Sequence, residues 1–431
     1  MNVLLFLTQS FLVLLPFQVA LSPYPGVDLP FSRAFAPILF LLFLSVSLIR
    51  RRLHIPWSRI AIFLAIYLSI TFLSVLWAEN TVWAVRRVLF LLSFFPLFPL
   101  FSGLRQEGVS GDRLVRPFVV GAAVAAFVAI AEWCSQYIFG VSRLFDFWTG
   151  AVLPVFLGPS FSDAVARYPS LLANIGGSTV LRASAFFPDP HIAAFYFGMA
   201  LPLSCSYAFS ERRLARKVMY AVFSGMLLIA DLLTFSRGGY IGLVVGSGVF
   251  LSTRIGSVRF RPKTVLILFS FATVFVSVLF LLPQVRDRFV SAFSSSDGSN
   301  NARMSLYAES LGHIRRNPFG YGPGNYPLVV KPTAEYREPI YVHDLPLDIA
   351  TESGILGASV FLLAIFSAIR ETKRSASGPM FAISVSLAVF SGHALFEMPL
   401  YSVHILPVLL LLLSMADRQE VGQREKHPGI I

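Results

Sequence analysis

The residues of this chain that could do chemistry crowd into one stretch. Val342-His343-Asp344-Leu345-Pro346-Leu347-Asp348-Ile349-Ala350-Thr351-Glu352-Ser353-Gly354 sets a histidine and three acids directly before an apolar run, 355–369. Imidazole titrates near neutrality and can take a proton from an attacking hydroxyl, so His343 is a candidate base. Asp344, Asp348 and Glu352 recur every four residues, a drifting acidic stripe on a helix. They could orient His343, pair with arginines or hold a cation, but no second ligand cluster completes a metal shell. A second candidate is Arg237, within Phe235-Ser236-Arg237-Gly238-Gly239-Tyr240. That turn joins two apolar runs, one of them short, which draws its arginine below the membrane surface. A guanidinium there needs a partner or a wet cavity: a diphosphate is one solution, Asp231 or a backbone carbonyl another.

Other residues could serve the same chamber. Arg303 opens a helix-like stretch, and Gly320, Gly322 and Gly324 could offer backbone N–H groups to phosphate. His393 and Glu397 stand four apart on one helical face, where an interhelical hydrogen-bonded pair competes with a role in the site. Arg182 and His191 bracket Ser184-Ala185-Phe186-Phe187-Pro188-Asp189-Pro190 and could face that chamber too.

Hydrophobic residues make up 55% of the chain and charged ones 13%. Apolar runs of about 15–20 residues recur from end to end, which fits helices crossing a hydrocarbon core of about 30 Å and not the short alternating segments of a barrel. The expected architecture is an all-α polytopic membrane protein, one integral membrane domain over 1–431. About twelve spans are expected, at 3–21, 33–49, 60–77, 88–104, 117–138, 191–209, 218–234, 240–252, 265–282, 355–369, 379–396 and 401–415. The first run lacks a basic n-region and an obvious cleavage site, so it reads as a span rather than a signal peptide. Cys134 and Cys205 fall in apolar runs and form no disulfide framework.

Most of the 35 Lys and Arg residues fall in alternate short loops, which puts both termini, including a tail over 417–431, in the cytoplasm. The remainder, among them Arg33, Arg86, Arg87, Arg182, Arg237 and Arg303, collect on the opposite face. Positive charge there points to an anion, and the planar fork of arginine suits phosphate. Two outer loops are long: 139–190, with a surface-hugging character, and the larger 283–342. The second carries Met304, Tyr307, Leu311 and Ile314 at helical spacing, an amphipathic helix for the outer leaflet. A net charge of +12 is topological on this reading and calls for no nucleic acid.

These stretches resemble the O-antigen ligase family of bacterial envelope glycosyltransferases, which includes lipopolysaccharide ligases and related polysaccharide polymerases. The likeness rests on Ser236-Arg237-Gly238, on Arg303 with Tyr307 four residues on, and on Asn317-Pro318 leading into Gly320-Tyr321-Gly322-Pro323-Gly324-Asn325. It is completed by His343 with Leu347, Glu352 and Gly354. Where the family usually has Asn after the histidine, this chain has Asp344. The resemblance implies a GT-C-like enzyme of the bacterial cytoplasmic membrane, its active site facing the periplasm, with no cofactor and no metal. Its donor would be an undecaprenyl diphosphate-linked glycan, and its acceptor a hydroxyl of lipid A-core or of another lipid-linked glycan. His343, Arg237 and Arg303 would be catalytic; Arg182, Arg86, Glu352, Gly322, Gly324 and His393 would contact substrate.

A secondary transporter is the competing class. It would place ionisable residues at the bilayer midplane and show paired broken helices. Here only Glu132 and Asp231 approach that depth, and no internal repeat is evident.

Overall fold

Polar side chains start the long apolar helices by taking up the orphan N–H groups of the first turn. Ser58 accepts from Ala61 N–H, Asn80 from Trp83 N–H, and Asp189 from both His191 and Ile192, with Pro190 at the first helical position. The computed structural model describes residues 1–24, 27–52, 56–167, 170–175, 177–255, 286, 298–336, 338, 340–373 and 378–417. The expected span 265–282, the opening of the second outer loop and the tail beyond 417 lie outside the described residues.

The main helices in chain order are α1 (Asn2–Leu14), α2 (Phe31–Ile49), α3 (Arg59–Leu73), α4 (Thr81–Phe94), α5 (Leu97–Gln106) and α6 (Gly111–Phe139). They continue with α7 (Pro190–Ser210), α8 (Leu214–Leu233), α9 (Arg237–Ile255), α10 (Gly298–Arg316), α11 (Leu345–Lys373), α12 (Gly378–His393) and α13 (Ile405–Ala416). Among the described residues, six stretches are long and apolar enough to cross a membrane: Phe31–Ile49, Arg59–Trp77, Thr81–Gln106, Gly111–Phe139, Pro190–Ser210 and Leu345–Lys373. α1, α12 and α13 are apolar but shorter.

Several boundaries differ from the sequence reading. The first run stops at Leu14, ahead of Pro16, and the chain then turns into an antiparallel hairpin, Ala20–Tyr24 with Val27–Pro30. The run 88–104 breaks at Phe95-Pro96, because proline lacks the N–H that would continue the ladder. α9 begins at Arg237 instead of residue 240, α12 ends at His393 and α13 starts at Ile405. The first long loop folds into short helices between Val141 and Arg167 and a hairpin, Leu172–Ile175 with Ser178–Leu181.

Helices divide by exposure. In α7, 78% of the apolar window is buried, against 28% in α2 and in Arg59–Trp77. The peripheral helices show large apolar side chains outward, Ile49, Leu76 and Phe127 among them. Lipid satisfies such a surface and water does not. The inner helices approach through glycine: a Cβ on Gly238 would stand 2.4 Å from His393 Cδ2, and one on Gly242 2.7 Å from Val389 O. That four-residue small-residue spacing lets α9 press against α12.

Candidate functional site

α11 is two helices in line. Gly354 interrupts it with φ 79°, a left-handed conformation that glycine adopts without penalty. The break accommodates the turn after α10. Pro318 O accepts from Ile355 N–H at 3.0 Å, while Tyr321 and Gly322 N–H groups donate to Thr351 O and Glu352 O at 2.8 and 2.9 Å. The glycine turn therefore clamps α11. Its Gly322 N–H is taken up by a protein acceptor and is not held open as part of a phosphate cradle.

The clamp fixes one end of the segment Leu345–Ser353, and His343 stands beyond the other end. His343 adopts φ 60°, a conformation costing a non-glycine residue about 1–3 kcal/mol unless its surroundings enforce it. They do: Val342 N–H donates to Asp348 at 3.0 Å, Leu345 N–H to Ala394 O at 2.8 Å, and Tyr307 hydroxyl lies 3.2 Å from the carbonyls of His343 and Leu395. Asp344 caps the helix by accepting from Leu347 N–H at 2.8 Å. Asp344 and Asp348 thus serve the backbone of this segment and do not orient the imidazole.

The carboxylate that orients it is Glu397. Its Oε2 lies 3.0 Å from His343 Nδ1, and its Oε1 lies 3.0 Å from Arg303 Nη2 and 3.6 Å from His191 Nε2. Burial alone would push this carboxyl up, but His191, His343 and Arg303 hold it well below the usual carboxylate range. An ionised carboxylate only accepts hydrogen bonds, so His343 carries its proton on Nδ1 and presents the Nε2 lone pair. Tyr341 packs against the ring at 4.2 Å. The imidazole keeps 26% of its side-chain surface exposed, against 6% for Glu397.

The pairing expected between His393 and Glu397 is not made. α12 ends at His393, so four-residue helical spacing no longer applies beyond it. His393 is fully buried, stacks on Phe195 with centroids 3.6 Å apart, and lies 3.2 Å from Ser236 Oγ through Nε2. It is a core residue without a face for substrate.

Ser236 connects this core to the residues around Glu397. Its Oγ is 2.9 Å from His191 Nδ1, and His191 Nε2 is 3.5 Å from Arg182 Nη2. Arg182 is buried and also donates to Thr234 O at 2.7 Å and Ser170 O at 2.9 Å. It braces the loop and the Ser236 turn, with its donors largely engaged by the protein. Arg237 follows Ser236 as the first residue of α9, 4% exposed, one peptide from the hydroxyl that touches His191. Asp231 accepts no hydrogen bond from it. Two buried polar groups of α6 hold the strand leading here: Glu132 accepts from Ser184 N–H and Oγ and from Ala185 N–H, and Gln136 pairs with the Leu181 backbone.

α10 divides the four apolar positions expected to lie on the outer leaflet between two faces. Met304 and Leu311 are 65% and 44% exposed, whereas Ser310 and Ile314 are buried. The inward face is Arg303, Tyr307, Ser310 and Ile314, four positions of one helical stripe. This is why an arginine with an aromatic four residues on is a unit: Arg303 reaches Glu397 and Tyr307 pins the backbone of His343.

Arg86 and Glu352 belong to a different cluster. Glu352 accepts from Tyr401 hydroxyl at 2.8 Å, and Arg86 lies over the Tyr336 ring at 4.9 Å. The sequence reading assigned both to substrate contact, and the fold brings neither to His343.

The structure thus brings His343, Arg303 and His191 onto one carboxylate, Glu397, and Arg182 and Ser236 of the Arg237 turn meet it through His191. The sequence set Glu397 beside His393 on one helical face, but nothing local to it names His343 as partner.

No curated protein matches the chain. Residues 221–362 match the family model described as O-antigen ligase, a stretch that includes Arg237, Arg303 and His343 and stops short of Glu397. Apolar helices and this match together indicate a multi-pass bacterial membrane protein. With its arginines and its strained histidine inside the matched region, the chain has what supports membership of the O-antigen ligase family.

Proposed function

We propose that the protein is a glycosyltransferase of the bacterial cytoplasmic membrane which, on its periplasmic face, moves a glycan from undecaprenyl diphosphate to an acceptor hydroxyl. Lipid A-core is the acceptor on the preferred reading, making the protein an O-antigen ligase. A polymerase would use the same chemistry with a lipid-linked repeat as acceptor. The single observation that carries the reading is the Glu397 bridge, which couples a proton-accepting imidazole at 3.0 Å to an arginine at 3.0 Å.

In the proposed step the acceptor oxygen attacks the anomeric carbon of the donor as the bond from that carbon to the diphosphate oxygen breaks. The diphosphate leaves with the bonding electron pair, and the configuration inverts. His343 Nε2 takes the hydroxyl proton. The positive charge formed on the ring is stabilised by Glu397 across the Nδ1–H bond. Arg303 gives Glu397 one Nη2 donor at 3.0 Å, and a guanidinium carries further N–H groups for the leaving diphosphate. Arg237 would approach that diphosphate from the start of α9. Such fixed cations stabilise charge as it develops without reorganising at the moment of reaction.

The test is purified protein with carrier-linked glycan and acceptor, without nucleotide sugar. His343→Ala and Arg237→Ala should each abolish transfer while membrane insertion is retained. Full activity in either variant removes that residue from the mechanism. In cells lacking the protein, polymer retained on its carrier marks a ligase, and loss of the polymer marks a polymerase.

A further inference from the structure

A second cationic cluster stands apart from the His343 chamber. Arg33 begins α2, and Arg86 and Arg87 lie on α4. They meet around three rings: Arg33 over Phe90 at 5.5 Å, Arg86 over Tyr336 at 4.9 Å, and Arg87 over Tyr401 at 4.1 Å. Phe90 and Tyr401 lie edge to face at 5.9 Å, which joins the rings under Arg33 and Arg87, and Trp83 closes on Tyr336, the ring under Arg86, at 5.3 Å.

Charge is unbalanced here. Among the described residues, none of the three guanidinium groups has a carboxylate within ion-pair distance. The acid that acts on the cluster is Glu352, beside Arg87, which is buried and already accepts from Tyr401 hydroxyl. Arg87 Nε is buried with no acceptor, although a buried unmade donor costs about 1–3 kcal/mol. Like charges gathered beside aromatic faces, with one N–H group left unmet, describe a site completed by an anion from outside.

Its position limits which anion. Glu352 and His343 flank the same helical segment, and Leu345 to Glu352 spans about 10 Å of helix. A two-substrate transfer at His343 needs a second molecule held at that range. We propose that Arg33, Arg86 and Arg87 form a separate anion subsite for a phosphate-ester group on a membrane-borne glycan acceptor, held by guanidinium forks with Tyr336 and Tyr401 as flanking ring faces. Assigning the phosphate to the acceptor rests on the transfer reaction proposed above. The anion site itself does not. An anionic phospholipid headgroup offers the same chemistry and is the other source.

The full chain is compared with its Arg33→Gln/Arg86→Gln variant in two measurements. In transfer assays, an acceptor bearing its phosphates and the same acceptor after phosphatase treatment are titrated. Wild type should show a KM about tenfold lower for the phosphorylated form, equivalent to about 1.4 kcal/mol, and the double variant should lose that preference. A preference that survives in the variant overturns the acceptor assignment, as does a rise in donor KM by the same factor. The second measurement needs no activity. Protein reconstituted in mixed phosphatidylglycerol–phosphatidylcholine vesicles is released and its retained lipids are weighed by native mass spectrometry. Selective retention of phosphatidylglycerol by wild type, lost in the variant, supports the anion site. If it accompanies no acceptor preference in an active enzyme, the headgroup is the source. Equal retention of both lipids by both proteins, with no acceptor preference, overturns the site altogether. A protein inactive with every acceptor that still retains phosphatidylglycerol through these arginines refutes the transfer reaction alone.

Discussion

The two ends of the segment Leu345–Ser353 satisfy their polar groups in opposite ways. At the His343 end, side chains answer side chains: one carboxylate meets an arginine and two histidines, and the imidazole remains part-exposed. At the Gly354 end, backbone answers backbone, through Tyr321, Gly322 and Ile355 N–H groups and the carbonyls of Thr351, Glu352 and Pro318. Both ends carry residues that attract a functional reading, namely charges in one and a glycine-rich turn in the other. Only the first retains a group presented for reaction. A main-chain N–H already donating to a carbonyl is spent as a donor to a ligand, whereas a carboxylate that fixes one imidazole nitrogen readies the other for a proton.

The contrast can be broken most severely at Glu397. Glu397→Gln keeps the size but removes the negative charge that stabilises a protonated imidazole. A drop in kcat of about 10²–10⁴-fold is expected, with donor KM little changed. Unchanged kcat in a protein that elutes as wild type would mean the bridge is only structural.

At the other end the effect should fall on stability. Gly354→Ala puts a Cβ 2.7 Å from Pro318 O in a left-handed backbone position, so the clamp must open. A loss of about 1–3 kcal/mol is expected in detergent unfolding. The fraction that remains folded should transfer glycan with a kcat near that of wild type. A variant as stable as wild type but inactive would reverse the roles assigned to the two ends.

The smallest effect concerns Asp189, the N-cap of α7 beside the chamber. Burial pushes its carboxyl up from 3.8 to about 6, against the two N–H groups that it caps. The folded state therefore binds this proton more tightly than the unfolded chain, so the contribution to stability falls as pH rises from about 4 to about 6. Thermal unfolding across that window should show the decline, and Asp189→Asn, which keeps a capping oxygen, should flatten it. A slope that is identical in the variant would assign the dependence to another group.

How much of this was legible beforehand follows from the range of the forces involved. Burial of apolar side chains and the bias of Lys and Arg act on contiguous runs, so helical membrane character, the Arg237 turn and the reactive stretch around His343 were readable residue by residue. Boundaries were less so, because Pro16 and Pro96 end ladders inside runs that stay apolar throughout. Partnerships were not readable. His343 meets Glu397 across 54 positions and Arg303 meets it across 94, and nothing local to any of these residues names the others. The chain's own composition decided that it is a bundle of apolar helices with arginines gathered at their ends. Packing decided which carboxylate holds the histidine, that the glycine turn is a clamp, and that Arg86 and Glu352 belong to a second cluster. The reason is that hydrophobicity is a property of each segment, whereas a hydrogen bond exists only once two distant segments have been brought within 3 Å.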